Sequence, residues 1–106
     1  MSDFTTTGTT ENFKEEVLAS TEPVLVDFWA SWCQPCLRVA PVIEALAQEH
    51  SGDLKVVKVD VDANPAVASE YGISSIPTMM LFKDGKIVNK MIGAGSKAQI
   101  EQLISA

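Results

Sequence analysis

Cys33 and Cys36 are the only cysteines in this 106-residue chain, and two residues separate them. A C-x-x-C pair is compatible with a metal site, a structural disulfide, two inert thiols or a redox-active dithiol. A zinc site needs about four ligands. The one histidine, His50, lies fourteen residues beyond Cys36 on the same predicted helix, roughly 20 Å away. We therefore expect no metal at the cysteines.

The two other non-redox alternatives also explain the pair poorly. A disulfide that closes so short a loop constrains the unfolded chain by only about 2 kcal/mol, and a domain with a sizeable core does not depend on it. Inert buried thiols do not fit the polar Gln34 and the Pro35 between the cysteines, because these residues indicate exposure at a helix start. Both alternatives remain open, and redox exchange is favoured.

The sequence around the cysteines supplies a redox mechanism. An apolar run at residues 24–30 predicts a buried strand, and helical periodicity follows from Leu37. A helix N-terminus favours a thiolate over a thiol, and Pro35 suits a first helical turn. We expect Cys33 to be the exposed nucleophile of low pKa and Cys36 to be the shielded, resolving cysteine.

Strands and helices alternate along the predicted chain in the order βαβαβαββα. This order predicts a single α/β domain over residues 1–106, with a five-stranded mixed sheet flanked by four helices. The predicted elements are an edge strand at residues 4–7, a helix capped by Thr9 or Thr10, the strand at residues 24–30, a helix from Cys33 or Gln34 to Glu49, a strand at residues 54–61, a short helix opened by Asn64-Pro65 and stopped by Gly72, a hairpin of residues 78–82 and 87–92 turning at Asp84-Gly85, and a helix opened by Ser96.

Composition and charge limit the partners. The net charge is −6 with no basic cluster, which argues against nucleic acid and anionic membranes as partners. No apolar run reaches the roughly 18 residues that cross a bilayer. The first residues have neither the basic start nor the apolar core of a signal peptide. We expect a cytoplasmic protein, and an organelle-imported mature form stays open.

The sequence Trp32-Cys33-Gln34-Pro35-Cys36 resembles the active-site motif of the thioredoxin family. The likeness extends from about residue 13 to residue 103, and further matching segments are Val26-Asp27-Phe28-Trp29-Ala30, Ile76-Pro77-Thr78, Phe82-Lys83-Asp84-Gly85 and Ile92-Gly93-Ala94. The resemblance implies a thioredoxin fold and a protein-disulfide oxidoreductase that acts as an electron carrier. It implies reduction of protein disulfides through a mixed disulfide, no bound cofactor beyond the redox-active disulfide Cys33-Cys36, and recharging by a thioredoxin reductase. We expect a monomer.

Asp27 is unusual because it places a carboxyl group inside a predicted buried strand. Desolvation should raise its pKa by disfavouring the charged form, and a core acid hydrogen-bonded to local groups is the alternative. The resemblance implies that Asp27 lies beneath Cys36 and transfers its proton. Lys58 matches a family lysine that partners this acid, and a lysine that only faces solvent is the alternative.

The resemblance also implies a substrate-binding groove. In the family the Ile76-Pro77 bond is cis, Pro77 packs against the cysteines, and the backbone of Ile76 pairs with a substrate chain. By this likeness Trp32, Pro35, Ile76, Pro77 and Gly93 form a shallow apolar groove around Cys33.

Two positions depart from the family pattern, which has glycine at Gln34 and a basic residue at Leu37. We expect Gln34 and Pro35 to tune the redox potential. Because Gln34 is uncharged, this potential should lie nearer about −270 mV than about −180 mV, the value for disulfide isomerases. Leu37 removes a positive charge and enlarges the apolar rim. An oxidase or isomerase, and a redox-independent binding role, are the competing functions.

Overall fold

Five strands and four helices follow one another in the computed structural model, which describes residues 4–106. The predicted domain includes residues 1–3, which lie outside the described part. No helix among the described residues combines the length and the hydropathy needed to cross a membrane. The elements are β1 (Thr5–Gly8), one turn of π-helix (Lys14–Leu18), β2 (Val24–Trp29), α1 (Gln34–Glu49), β3 (Lys55–Asp60), α2 (Pro65–Glu70), β4 (Thr78–Lys83), β5 (Lys86–Ile92) and α3 (Lys97–Ile104).

The strands form one mixed sheet in the order β1-β3-β2-β4-β5. β3 pairs in parallel with both β1 and β2, whereas β4 is antiparallel to β2 and β5. The predicted α/β fold with a mixed five-stranded sheet is confirmed. The central strand β2 is buried along five of its six residues, as expected for a strand with neighbours on both edges and helices on both faces.

Alternate residues of the strands pack into two cores, one on each face of the sheet. Leu25 of β2 packs with the apolar stripe of α1 and with residues of α3. Val24, Val26 and Phe28 pack on the other face with the π-helix and α2. Because side chains alternate along a strand, Asp27 lies on the same face as Leu25, which is the face that α1 covers.

The first helix differs from its prediction. The Thr9 hydroxyl accepts a hydrogen bond from the Asn12 N–H, and the Asn12 side chain accepts one from the Thr9 N–H, which is the reciprocal pattern of a capping box. The regular helix nevertheless begins only at Lys14, and Ala19 donates to the Lys14 carbonyl five residues back. The predicted cap is therefore present at Thr9, but a turn separates it from a shorter and wider helix.

Local signals placed most other boundaries correctly. Asn64 occupies the N-cap of α2, but its side chain accepts from the Thr10 N–H instead of capping the helix. Asp84 and Gly85 have φ of 52° and 77°, the left-handed pair that a two-residue hairpin turn requires. Ser96 caps α3 in a complete capping box with Gln99. Together these elements leave the carboxyl end of β2 and the start of α1 at one edge of the sheet.

Candidate active site

Cys33 is the N-cap residue of α1, and Cys36 lies in its first turn. The two cysteines form a disulfide with a Cα–Cα distance of 5.2 Å, within the usual range for such a bond. The N–H of Cys36 donates to the Cys33 Sγ at 3.2 Å. The first N–H groups of a helix lack intrahelical partners and carry partial positive charge. This arrangement favours negative charge on the sulfur of Cys33.

Both cysteines are buried in the disulfide form. Cys33 is 4% exposed and Cys36 is 3% exposed, so the predicted difference in exposure between them is wrong for this form. Ile76, forty-three residues away, covers the pair from the loop before β4, and its carbonyl oxygen lies 3.7 Å from the Cys33 Sγ. The family resemblance implied that this segment packs around Cys33, but no local sequence pattern indicates the contact, because it joins two distant segments.

Two hydrogen bonds hold the loop that covers the cysteines. The Ile76-Pro77 peptide bond is cis, the isomer that the resemblance implies. The Thr78 hydroxyl donates to the Ser75 carbonyl at 2.6 Å, and the Gly93 N–H donates to the Pro77 carbonyl at 2.7 Å. Ile76 and Pro77 therefore lie in the loop that contacts Cys33, and Gly93 is hydrogen-bonded to Pro77.

Trp32 projects from the site and has a partner that the sequence did not indicate. Trp32 is 64% exposed. Its indole N–H donates a hydrogen bond to the Asp62 carboxylate at 2.7 Å. Asp62 follows β3, the parallel neighbour of β2. The sequence did contain one signal for this contact. Trp32 follows β2 and Asp62 follows β3, and the carboxyl ends of adjacent parallel strands meet at one edge of a sheet.

Asp27 lies in the interior at the middle of β2. It is 1% exposed, and its Oδ1 has no hydrogen-bond partner among residues 4–106. Burial raises the pKa of Asp27 to about 6, and the positive charge of Lys58 partly opposes that increase. In the alternative, Asp27 is a core acid whose oxygens are all hydrogen-bonded to nearby groups. The unpartnered Oδ1 does not fit that alternative.

Asp27 lies on the face of the sheet that is covered by α1, the helix that contains Cys36. Leu25 and Trp29 flank Asp27 on the same face of β2. Leu25 packs against the buried stripe of α1, and Trp29 packs against the cluster that contains Cys36. The fold therefore brings a carboxyl group of raised pKa and the inner cysteine to the same side of the sheet.

Lys58 occupies the β3 position paired with Asp27. Its ammonium lies 4.9 Å from the centroid of the Trp29 ring, a favourable distance for a cation–π contact. Lys58 is half-buried, so the alternative of a lysine that only faces solvent does not describe it.

Three further residues near the cysteines belong to the first turn of α1. Gln34 is exposed and Pro35 is half-buried in the first turn. Leu37, directly after Cys36, is 42% exposed. Leu37 and Trp32 therefore both present apolar surface close to the cysteines.

The chain matches the Thioredoxin family model over residues 4–106. A protein named "Thioredoxin 1" from Synechococcus elongatus is 58% identical over 92 residues, which cover 87% of this chain and 86% of that protein. A second "Thioredoxin 1", from a Nostoc species, is 55% identical over 96 residues, 91% of this chain and 90% of that protein. A "Thioredoxin" from Porphyra purpurea is 50% identical over 97 residues, 92% of this chain and 91% of that protein.

Proposed function

The chain belongs to the thioredoxin family and is a protein-disulfide oxidoreductase, and we propose that it acts as a general reductase of protein disulfides. One observation above all supports Cys33 as the attacking residue. The N–H of Cys36 donates to the Cys33 Sγ at the start of α1, so the reduced form can stabilise a thiolate on Cys33.

The proposed reaction has two exchange steps. The Cys33 thiolate attacks one sulfur of a substrate disulfide, forms a mixed disulfide and releases the other substrate sulfur as a thiolate. The Cys36 thiolate then attacks the Cys33 sulfur, forms the Cys33–Cys36 disulfide and releases the second substrate thiolate. The substrate gains two electrons and two protons, and the protein loses the same number.

Asp27 is the proposed proton acceptor for Cys36. Cys36 must lose a proton before it can attack, and no charged group other than Asp27 is buried among the described residues. Burial raises the pKa of Asp27 to about 6, which is close enough to neutral pH for a carboxylate to take up and return a proton. Lys58 is its proposed partner and keeps part of the carboxyl population ionised.

The proposed substrate groove follows the residues around Cys33. Trp32, Pro35, Ile76, Pro77 and Gly93 supply its apolar walls, and the backbone of Ile76 pairs with the substrate chain. The support for this role is that the Ile76 carbonyl already lies 3.7 Å from the Cys33 Sγ, where a bound chain would meet the attacked disulfide. The exposed Leu37 extends the apolar rim, and we propose that it shifts partner preference away from acidic surfaces.

The oxidised protein needs an external source of electrons. We propose that a thioredoxin reductase supplies two electrons per cycle, drawn from NADPH or from reduced ferredoxin, and that the protein works as a monomer. A reducing compartment such as the cytoplasm suits this direction of exchange, because it keeps thiols reduced.

Insulin-disulfide reduction coupled to a thioredoxin reductase and NADPH tests the activity and the recycling together. We expect turnover by the wild-type chain and none by Cys33→Ser. A Cys36→Ser variant should trap a covalent complex with substrate that a thiol reagent releases, whereas Cys33→Ser, the matched control, should trap none. A folded Cys36→Ser variant that forms no mixed disulfide would contradict the mechanism.

A further inference from the structure

Glu49, His50 and Glu101 form a cluster at the end of α1 that is remote from the cysteines. Each offers one ligand atom, and these atoms all lie within 4.8 Å of one another. Glu49 is the last residue of α1, His50 is its C-cap, and Glu101 lies on α3. About fourteen residues of helix separate Cys36 from His50, which corresponds to roughly 20 Å. The cluster is therefore independent of the proposed redox function.

The distances suit a small tetrahedral ion. Two ligand atoms on such an ion, with bonds of about 2.1 Å, lie about 3.4 Å apart. The Nε2 of His50 and the Oε2 of Glu101 are 3.3 Å apart. His50 is half-buried while Glu49 is exposed, so the imidazole is held in place and the Glu49 carboxylate is free to close on the ion by rotation.

The electrostatics of the helix end also favour a cation. The C-terminus of a helix carries partial negative charge, and Glu49 adds a full one. The last turn of α1, residues 46–49, contains no basic residue. The cation that now faces Glu49 is Lys97 of α3, with Nζ 2.5 Å from Oε2. Both side chains are nearly half exposed, so this ion pair contributes little and Lys97 is easily displaced.

We propose that Glu49, His50 and Glu101 bind a divalent transition-metal ion of the Zn²⁺ type. One imidazole and two carboxylates are ligands that Zn²⁺ accepts, and three protein ligands leave a fourth position for water. Mg²⁺ prefers oxygen ligands alone, so imidazole selects against it. Asp53 and Lys83 are further charged groups beside the cluster, and they line the same cleft as His50 and Glu101.

The bound ion would connect the end of α1 to α3. These two helices pack on the same face of the sheet, and an ion held by both would bind the folded chain in preference to the unfolded one. Binding of this kind raises the melting temperature. It should leave insulin reduction unchanged, because the cysteines lie at the opposite end of α1.

The test uses the full chain in its disulfide form, so that the cysteine sulfurs do not compete for metal. We titrate ZnCl2 and follow the imidazole signals by NMR, which are unambiguous because the chain has a single histidine. We expect saturable binding of one equivalent, a shift of the His50 signals and a higher melting temperature. MgCl2 at the same concentration should cause neither change. A His50 spectrum unaffected by Zn²⁺, or affected equally by Mg²⁺, would overturn the proposal.

Variants separate a three-ligand site from nonspecific attraction by an acidic protein. His50→Gln and Glu101→Gln should each weaken Zn²⁺ binding about tenfold or more. Glu15→Gln, which removes an exposed charge from the π-helix on the other face of the sheet, should bind as the wild type does. Lys97→Gln should tighten binding, because it removes the competing cation. Unchanged affinity in folded Glu101→Gln, or weaker binding in Lys97→Gln, would contradict the site.

Discussion

Asp27 of β2 and Lys58 of β3 occupy paired positions on neighbouring parallel strands, yet only the acid is fully buried. Burial raises the pKa of Asp27 to about 6 and the charge of Lys58 lowers it. The ammonium of Lys58 meanwhile lies over the Trp29 ring, 4.9 Å from its centroid. The ionisation of this carboxyl therefore depends on a balance between burial and one neighbouring charge.

Asp27 should make the oxidised protein less stable as pH rises. An acid whose pKa is raised from 3.8 to about 6 on folding binds its proton more tightly in the folded state, so stability falls as pH rises through this range. Above pH 6 the free energy of unfolding is lower by up to about 3 kcal/mol because of this pKa increase. Asp27→Asn should be more stable than the wild type at pH 7, and the difference should vanish below about pH 4. Urea unfolding of both proteins across this range measures it. A difference that does not depend on pH would contradict the pKa increase.

Lys58→Met should raise the pKa of Asp27 above about 6, because it removes the one charge that opposes burial. The carboxyl carbon of Asp27, followed by NMR as pH changes, reports this shift directly. Lys55→Met is the matched control, since Lys55 lies on the same strand but pairs with Glu16 at 2.6 Å. The Lys55→Met substitution should not change the pKa of Asp27. Equal shifts in both variants would mean that Lys58 has no specific effect.

The hydrogen bond between Trp32 and Asp62 should contribute to substrate binding by holding the indole in place. A hydrogen bond within a protein contributes about 0.5–1.5 kcal/mol net, so Asp62→Ala should raise KM for insulin by a factor of about 2–10 with kcat little changed. Asp53→Ala removes the same charge at an exposed position near the far end of α1. If Asp53→Ala raises KM equally, the effect is one of net charge and not of Trp32.

The redox potential should lie near about −270 mV and not near about −180 mV. Gln34 is exposed in the first turn of α1 and uncharged, so it adds no charge beside the Cys33 thiolate. Gln34→His introduces a cation there when protonated, and a stabilisation of about 1 kcal/mol would raise the potential by about 20 mV. Equilibration with glutathione measures both values. Gln102→His on α3 is the control and should not change the potential, and a wild-type midpoint near the isomerase value would disprove this prediction.

Gly85→Ala should destabilise the protein more than Gly52→Ala. Both glycines have positive φ, 77° and 96°, so alanine is strained at either position, by about 1–2 kcal/mol. At Gly85 the new Cβ would in addition meet the Leu18 carbonyl oxygen at 3.0 Å, whereas at Gly52 it meets no atom of residues 4–106 within 4 Å. Denaturant unfolding of the two variants compares them, and equal losses would show that the Leu18 contact is relieved at no cost.

Local chemistry explains which parts of the fold were predictable. The turn at Asp84 and Gly85 and the capping box of Ser96 involve residues at most three apart, so the sequence alone specifies them. The π-helix was not predictable, because the same capping pair of Thr9 and Asn12 is compatible with an ordinary helix that starts at once.

The Asn64 side chain shows how a distant partner overrides a local preference. Asparagine before proline is a typical N-cap, and Asn64 does occupy that position. Its side chain nevertheless accepts from the N–H of Thr10, fifty-four residues away. A sequence pattern contains no information about which segment will lie beside such a group.

The sequence by itself determined that two cysteines stand where a buried strand gives way to a helix, and that an acid lies within that strand. Strand and helix periodicity and the position of Pro35 are enough for this, because they act over a few residues. The tertiary structure decided that Ile76 covers Cys33, that Asp62 holds Trp32 and that Lys58 lies beside Asp27. The family resemblance implied the first and the third of these contacts, but no local sequence pattern did. Each of these contacts joins segments about thirty or more residues apart, and it forms only when the sheet order brings their ends together.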